Sequence, residues 1–201
     1  MKAMTHAKLS ADPAAASAAV LFYASGRCAF GTVLIARSTE GVCAILLGDD
    51  IRALEDDLAK RFPHATFVPN EAIVRDDLAK VARHADNPAR RLDLTLDMRG
   101  TPIQRRVWNA IRSIPPGKTK SYMQVALLIN TAYPRVTARI VANACAANPL
   151  ALAIPCHRVV RADGELAGYC WGPSASANCS NRKPAREPRW LMATFWKGKT
   201  L

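Results

Sequence analysis

Residues 20–47 hold three short apolar runs, 20–23, 31–35 and 42–47, too closely spaced for helices and rich in β-branched and aromatic side chains. Ser38-Thr39-Glu40-Gly41 is a turn between the second and third, so this stretch predicts a hairpin sheet against which the rest of the chain must be built. Asp49 and Asp50 stand where they can cap a helix carrying Ile51, Leu54, Leu58 and Phe62 at helical spacing, and a second amphipathic run covers residues 73–84. Leu92, Leu94 and Leu96 alternate over residues 91–97, which predicts a return to the sheet.

Past Arg99-Gly100 the pattern changes. Two capping boxes follow in succession, Thr101-Pro102-Ile103-Gln104, with proline at the first helical position, and Ser121-Tyr122-Met123-Gln124. The first helix presents Ile103, Val107, Trp108 and Ile111 and ends at Ile114-Pro115-Pro116-Gly117; the second is short, over residues 121–129. A third begins near Pro134, carries Arg135 and Arg139, and runs to Ala147 before Asn148-Pro149 stops it. The last two suit a helix-turn-helix. The fold class expected is therefore α+β: a flexible leader over residues 1–18, a sheet-based subdomain over 19–97, a helical subdomain over 98–172 and an atypical basic tail over 173–201.

Lys and Arg number 28 against 16 Asp and Glu, a net charge of +12, and an excess this large suggests a polyanionic partner such as nucleic acid or an anionic membrane surface. The six cysteines, at positions 28, 43, 145, 156, 170 and 179, form no CxxC pair, so neither a disulfide framework nor a structural zinc site is indicated, and a reducing cytoplasm fits best. The small apolar run over residues 13–24 reads as a leader entering the first strand rather than as a signal peptide, and no stretch reaches the roughly 18 to 20 apolar residues needed to cross a bilayer.

One place carries chemistry. An apolar approach over residues 150–154 ends at Pro155-Cys156-His157-Arg158-Val159, a thiol beside an imidazole. A thiol near its free pKa of about 8.5 is only a few per cent thiolate at neutral pH, and a neighbouring base makes it a competent nucleophile. With Arg139 and Asn148 ahead of it and Gly168-Tyr169 behind, this centre resembles that of the O6-alkylguanine-DNA alkyltransferases. Arg99-Gly100-Thr101, Gln104, Val107-Trp108, Ile114-Pro115, Gly117, Thr119 and Ser121-Tyr122 are similar to the same family. The likeness is strongest to the transferase domain of the bacterial adaptive-response members, over about residues 20–172. The zinc-dependent and regulatory domains that precede this module in longer relatives are expected to be missing.

The resemblance implies a ribonuclease H-like N-terminal subdomain and a winged-helix-like C-terminal one. It implies a monomer that needs no cofactor or metal and meets no membrane, and a partner in double-stranded DNA containing O6-alkylguanine, bound from the minor groove with the base turned out of the stack. Cys156 would accept the alkyl group, with His157 drawing the thiol proton through a water and Tyr122 helping to expel guanine by hydrogen bonding at its N3. Arg139 would fill the vacated place, Asn148 would brace the active turn, Arg135 and Arg158 would lie on the DNA side, and Val159, Tyr169, Cys170 and Trp171 would line the base pocket. The rival readings are a non-catalytic protein that binds alkylated DNA and a helix-turn-helix transcription regulator.

The sequence also departs from the family. Ile103 replaces a customary phenylalanine, and the link from Asn130 to Thr137 is about three residues longer than in close relatives. From Pro173 the amphipathic terminal helix is gone, and Lys183 stands where the family has the glutamate that completes the Cys, water, His, Glu relay. Permitted codons for residues 173–181, read one nucleotide earlier, encode Glu-Arg-Lys-Arg-Glu-Leu-Leu-Glu, much like the missing helix. The tail from about Pro173 is thus expected to be a frameshifted product.

Overall fold

The computed structural model describes residues 19–87, 91–130 and 135–163, so the leader over residues 1–18 and the tail from residue 173 lie outside the described residues. Strands β1 (Val20–Cys28), β2 (Gly31–Arg37) and β3 (Val42–Gly48) form the expected antiparallel meander. Gly31, at φ 100°, takes the left-handed conformation that the β1–β2 turn requires. Helix α1 (Ile51–Arg61) starts where Asp50 accepts a hydrogen bond from the Arg52 N–H, and α2 (Glu71–Asp86) starts where the Asn70 side chain accepts from Ile73 N–H. Between them lies a strand that the sequence pattern did not reveal, β4 (Thr66–Pro69), which pairs parallel with β1 and completes a sheet of order β3-β2-β1-β4.

Both faces of β2 and β3 are buried, which is why these strands read as unbroken apolar runs. One face, with Leu34, Ala36, Cys43, Ala44 and Leu46, packs with Leu54 and Leu58 of α1. The other, with Val33, Ile35, Val42 and Ile45, joins Val74 and Val81 of α2 to the second half of the chain. That half consists of α3 (Pro102–Arg112), α4 (Tyr122–Asn130) and α5 (Ala138–Ala146), with Val107, Trp108, Ile111, Val125 and Val141 in the same apolar cluster. Trp108 is anchored further by its indole N–H, which donates to Ala144 O at 2.8 Å. Both predicted capping boxes form, Thr101 with Gln104 and Ser121 with Gln124. No described helix is long and apolar enough to cross a membrane.

One sequence expectation is refined and one corrected. Residues 91–97 do return to the sheet, but through a single bridge, Val42 with Leu96, rather than as a strand. The edge of β3 is shared between two segments, Val42 exchanging hydrogen bonds with Thr95 and Asp97, and Ile45 with Pro149 and Ala151, so neither extends into a full ladder. The third helix begins at Ala138 rather than near Pro134. Asn130 clasps Val136 by both its amide groups, and Thr137 Oγ1 caps the helix by accepting from Ile140 N–H. Arg135 therefore lies ahead of the helix, at φ 92°.

Candidate active site

Cys156 opens a short 3-10 turn, Cys156–Arg158, delivered by a tightly folded approach. Hydrogen bonds from Ile45 hold its start, Leu152 adopts a left-handed φ of 65°, and Ile154 N–H donates to Leu150 O at 3.0 Å. Beyond the turn, a two-stranded parallel ladder joins β5 (Lys120–Ser121) to β6 (Val159–Val160), so the chain entering α4 is registered directly against the chain leaving the cysteine.

Asn148 ends the approach from α5 and is wholly buried. Its Oδ1 accepts from Leu150 N–H at 2.8 Å, while its Nδ2 donates to Ile154 O at 3.2 Å and to Cys156 Sγ at 3.1 Å. One amide thus shapes the turn and aims an N–H at the sulfur. Burial pushes the thiol of Cys43, another core cysteine, up to about 12, which keeps it protonated at neutral pH.

His157 follows directly. Burial first, then the neighbouring Arg158 and His84, lowers its imidazole to about 4, so it is neutral at neutral pH. Sequence reasoning missed His84, which lies near the end of α2 and far away along the chain; no local signal marks it. Arg158 donates from Nη1 to Ile114 O at 2.7 Å, tying the cysteine turn to the end of α3.

The remaining predicted residues fall into three groups. Val159 is buried against the core behind the turn, and Tyr122 is half-buried at the start of α4, one step beyond the Ser121–Val160 pair. Arg135 and Arg139 are exposed and have no carboxylate partner among the described residues. Tyr169, Cys170 and Trp171 lie outside the described residues. A recess of about 300 Å³ beside the Asn148 corner is lined by Arg61, Arg99, Gln104, Trp108 and Pro149 among others, and includes neither Cys156 nor His157.

Residues 102–182 match the family model of the 6-O-methylguanine DNA methyltransferase DNA-binding domain, a match that runs past Trp171-Gly172, where the resemblance was expected to break off. Over 153 residues the chain is 34% identical to the methylated-DNA--protein-cysteine methyltransferase of Candida albicans, covering 71% of this chain and 85% of that protein. The chain belongs to this family. It is also 45% identical over 167 residues to the bifunctional transcriptional activator/DNA repair enzyme Ada of Escherichia coli, covering 83% of this chain but 46% of that protein, so it spans about half the length of that curated relative. Among solved structures, Mycobacterium tuberculosis OGT in complex with DNA is 30% identical, with a TM-score of 0.55 over 74% of this chain and 83% of that one. The mixed α+β architecture agrees with that likeness.

Proposed function

We propose that this protein repairs alkylated DNA by moving the alkyl group from O6 of guanine onto its own Cys156. The reading rests on the 3.1 Å contact between Asn148 Nδ2 and Cys156 Sγ, on a thiol whose next residue is a neutral imidazole. His157 takes the thiol proton through a water. The sulfur lone pair then forms the new S–C bond as the C–O6 bond breaks, and its electron pair leaves with guanine, which Tyr122 helps to expel by hydrogen bonding at N3. A thioether has no route back to a thiol, so each molecule acts once. The displacement balances with thiol, base and proton acceptor alone and calls for no metal or cofactor.

Guanine O6 inside a duplex is closed to in-line attack, so the nucleotide has to be turned out of the stack. The helix-turn-helix of α4 and α5 enters the minor groove, Arg139 occupies the vacated place, and Arg135 lies on the DNA side. Arg158 joins them through the α3 end that it braces. Val159, Tyr169, Cys170 and Trp171 line the base pocket. The protein acts as a monomer, with a ribonuclease H-like subdomain over residues 19–97 and a winged-helix-like one over residues 98–172. The tail from about Pro173 is read as out of frame, which sequencing the gene decides.

Incubation with a duplex containing O6-methylguanine, followed by peptide mass analysis, tests the reading. One methyl group per molecule is expected on the Cys156 peptide and none in Cys156→Ala. A folded protein that keeps its mass and leaves the lesions in place overturns it.

A further inference from the structure

Between Asp97 and Asp163 the sequence carries ten Lys and Arg and not one carboxylate. Only some of these cations belong to the helix-turn-helix or the cysteine turn. Helix α3 buries Val107, Trp108 and Ile111 and packs against α4 and α5, which leaves Arg105, Asn109 and Arg112 in a line on its exposed side. Arg105 and Arg112 are seven residues apart, about 10 Å along the axis and nearly in register. Lys118 continues the row in the exposed turn that follows. None of Arg105, Arg112 and Lys118 has a carboxylate partner among the described residues.

Resting on the DNA reading above, we propose that this row is a second backbone-gripping surface for duplex DNA, separate from the contact made by α5. Charge complementarity selects a polyanion. The row's exposed neighbours, Asn109, Ser113, Pro115 and Pro116, give a bilayer no large apolar side chain to anchor in. Two guanidinium groups aligned on a convex helix, with an ammonium in the turn beyond, suit phosphates, which any sequence supplies, better than base edges.

The test compares the parent with Arg105→Gln/Arg112→Gln in binding undamaged duplexes over a range of salt concentrations. Each lost phosphate contact lowers the slope of log K against log salt by about 0.9, so a fall of about 2 is expected on a duplex of about 30 base pairs. No change is expected on a duplex of about 10 base pairs, one helical turn, which the α5 contact fills. Transfer from free O6-benzylguanine to Cys156 should be equal in both proteins, showing an intact site. An unchanged slope on the long duplex overturns the proposal, as does an equal fall on both lengths. So does loss of binding to phosphatidylserine vesicles with DNA binding intact. If neither protein reacts with the free base or with O6-methylguanine in a duplex, the repair reading fails while the slopes still decide this one.

Discussion

The two halves of the molecule treat charge differently. Residues 19–97 carry twelve acidic and ten basic residues, whereas residues 98–162 carry ten basic residues and no acid. In the first half the charges meet one another. Arg37 bonds the buried Asp77 and ties β2 to α2, while Arg61 pairs with Asp57 and Arg75 with Glu71 along their own helices. In the second, Arg105, Arg112, Lys118, Arg135 and Arg139 stand in solvent without such partners. Exposed ion pairs stabilise a fold little, so the missing acids cost the second half almost nothing and leave its positive field available to an outside anion. The sheet half is a self-neutralised scaffold; the helical half holds its shape by apolar packing and capping.

That contrast can be broken at several points. Arg37→Ala should hurt most, because it strands a buried carboxylate; a loss of about 3 kcal/mol in urea unfolding is expected, and a loss below about 1 would place Asp77 in solvent. Gly100→Ala comes next. A Cβ there would lie 2.6 Å from the Trp108 ring, which is itself pinned to Ala144, so roughly 1–3 kcal/mol of overpacking follows. Gly26→Ala, facing only the flexible end of Leu78 at 2.9 Å, should cost less than Gly100→Ala in the same assay.

A further effect concerns pH. The unfolded chain protonates His157 from its ordinary 6.5 downward, but the folded chain does not until about 4. Protonation in that window favours the unfolded state, so stability should fall as pH drops from 6.5 to 4 and level off below. His157→Phe should flatten that part of the curve; parallel curves for both proteins would count against the buried neutral imidazole. Arg139→Ala should change stability by no more than about 0.5 kcal/mol while slowing repair of duplex substrate, and a clear destabilisation would mean that the charge serves the fold after all.

Much of this architecture is legible in the residues because the signals are local. Asp50, Thr101 with Gln104, and Ser121 with Gln124 each satisfy N–H groups within a few positions, and a side chain's chemistry suffices to mark them. Three features were hidden because their cause is distant. β4 is four half-exposed residues whose pairing depends on β1. Residues 91–97 alternate like a strand, yet Pro149 and Ala151 hold the other end of the same edge. Of the site, Cys156, His157 and Asn148 are adjacent enough to be read together, but the bond from Arg158 to Ile114 and the influence of His84 arise only when separate elements close around the turn.

The shared edge of β3 also bears on how this chain can be divided. The helical half borrows Ile45 to hold the approach to Cys156, and in return covers backbone groups that would otherwise be open to pairing. Cutting near residue 98 would therefore not release two independent modules: one piece would lose the external clamp on the turn that carries Cys156, and the other would uncover the Ile45 end of an apolar edge, ready to recruit a neighbour into aggregates.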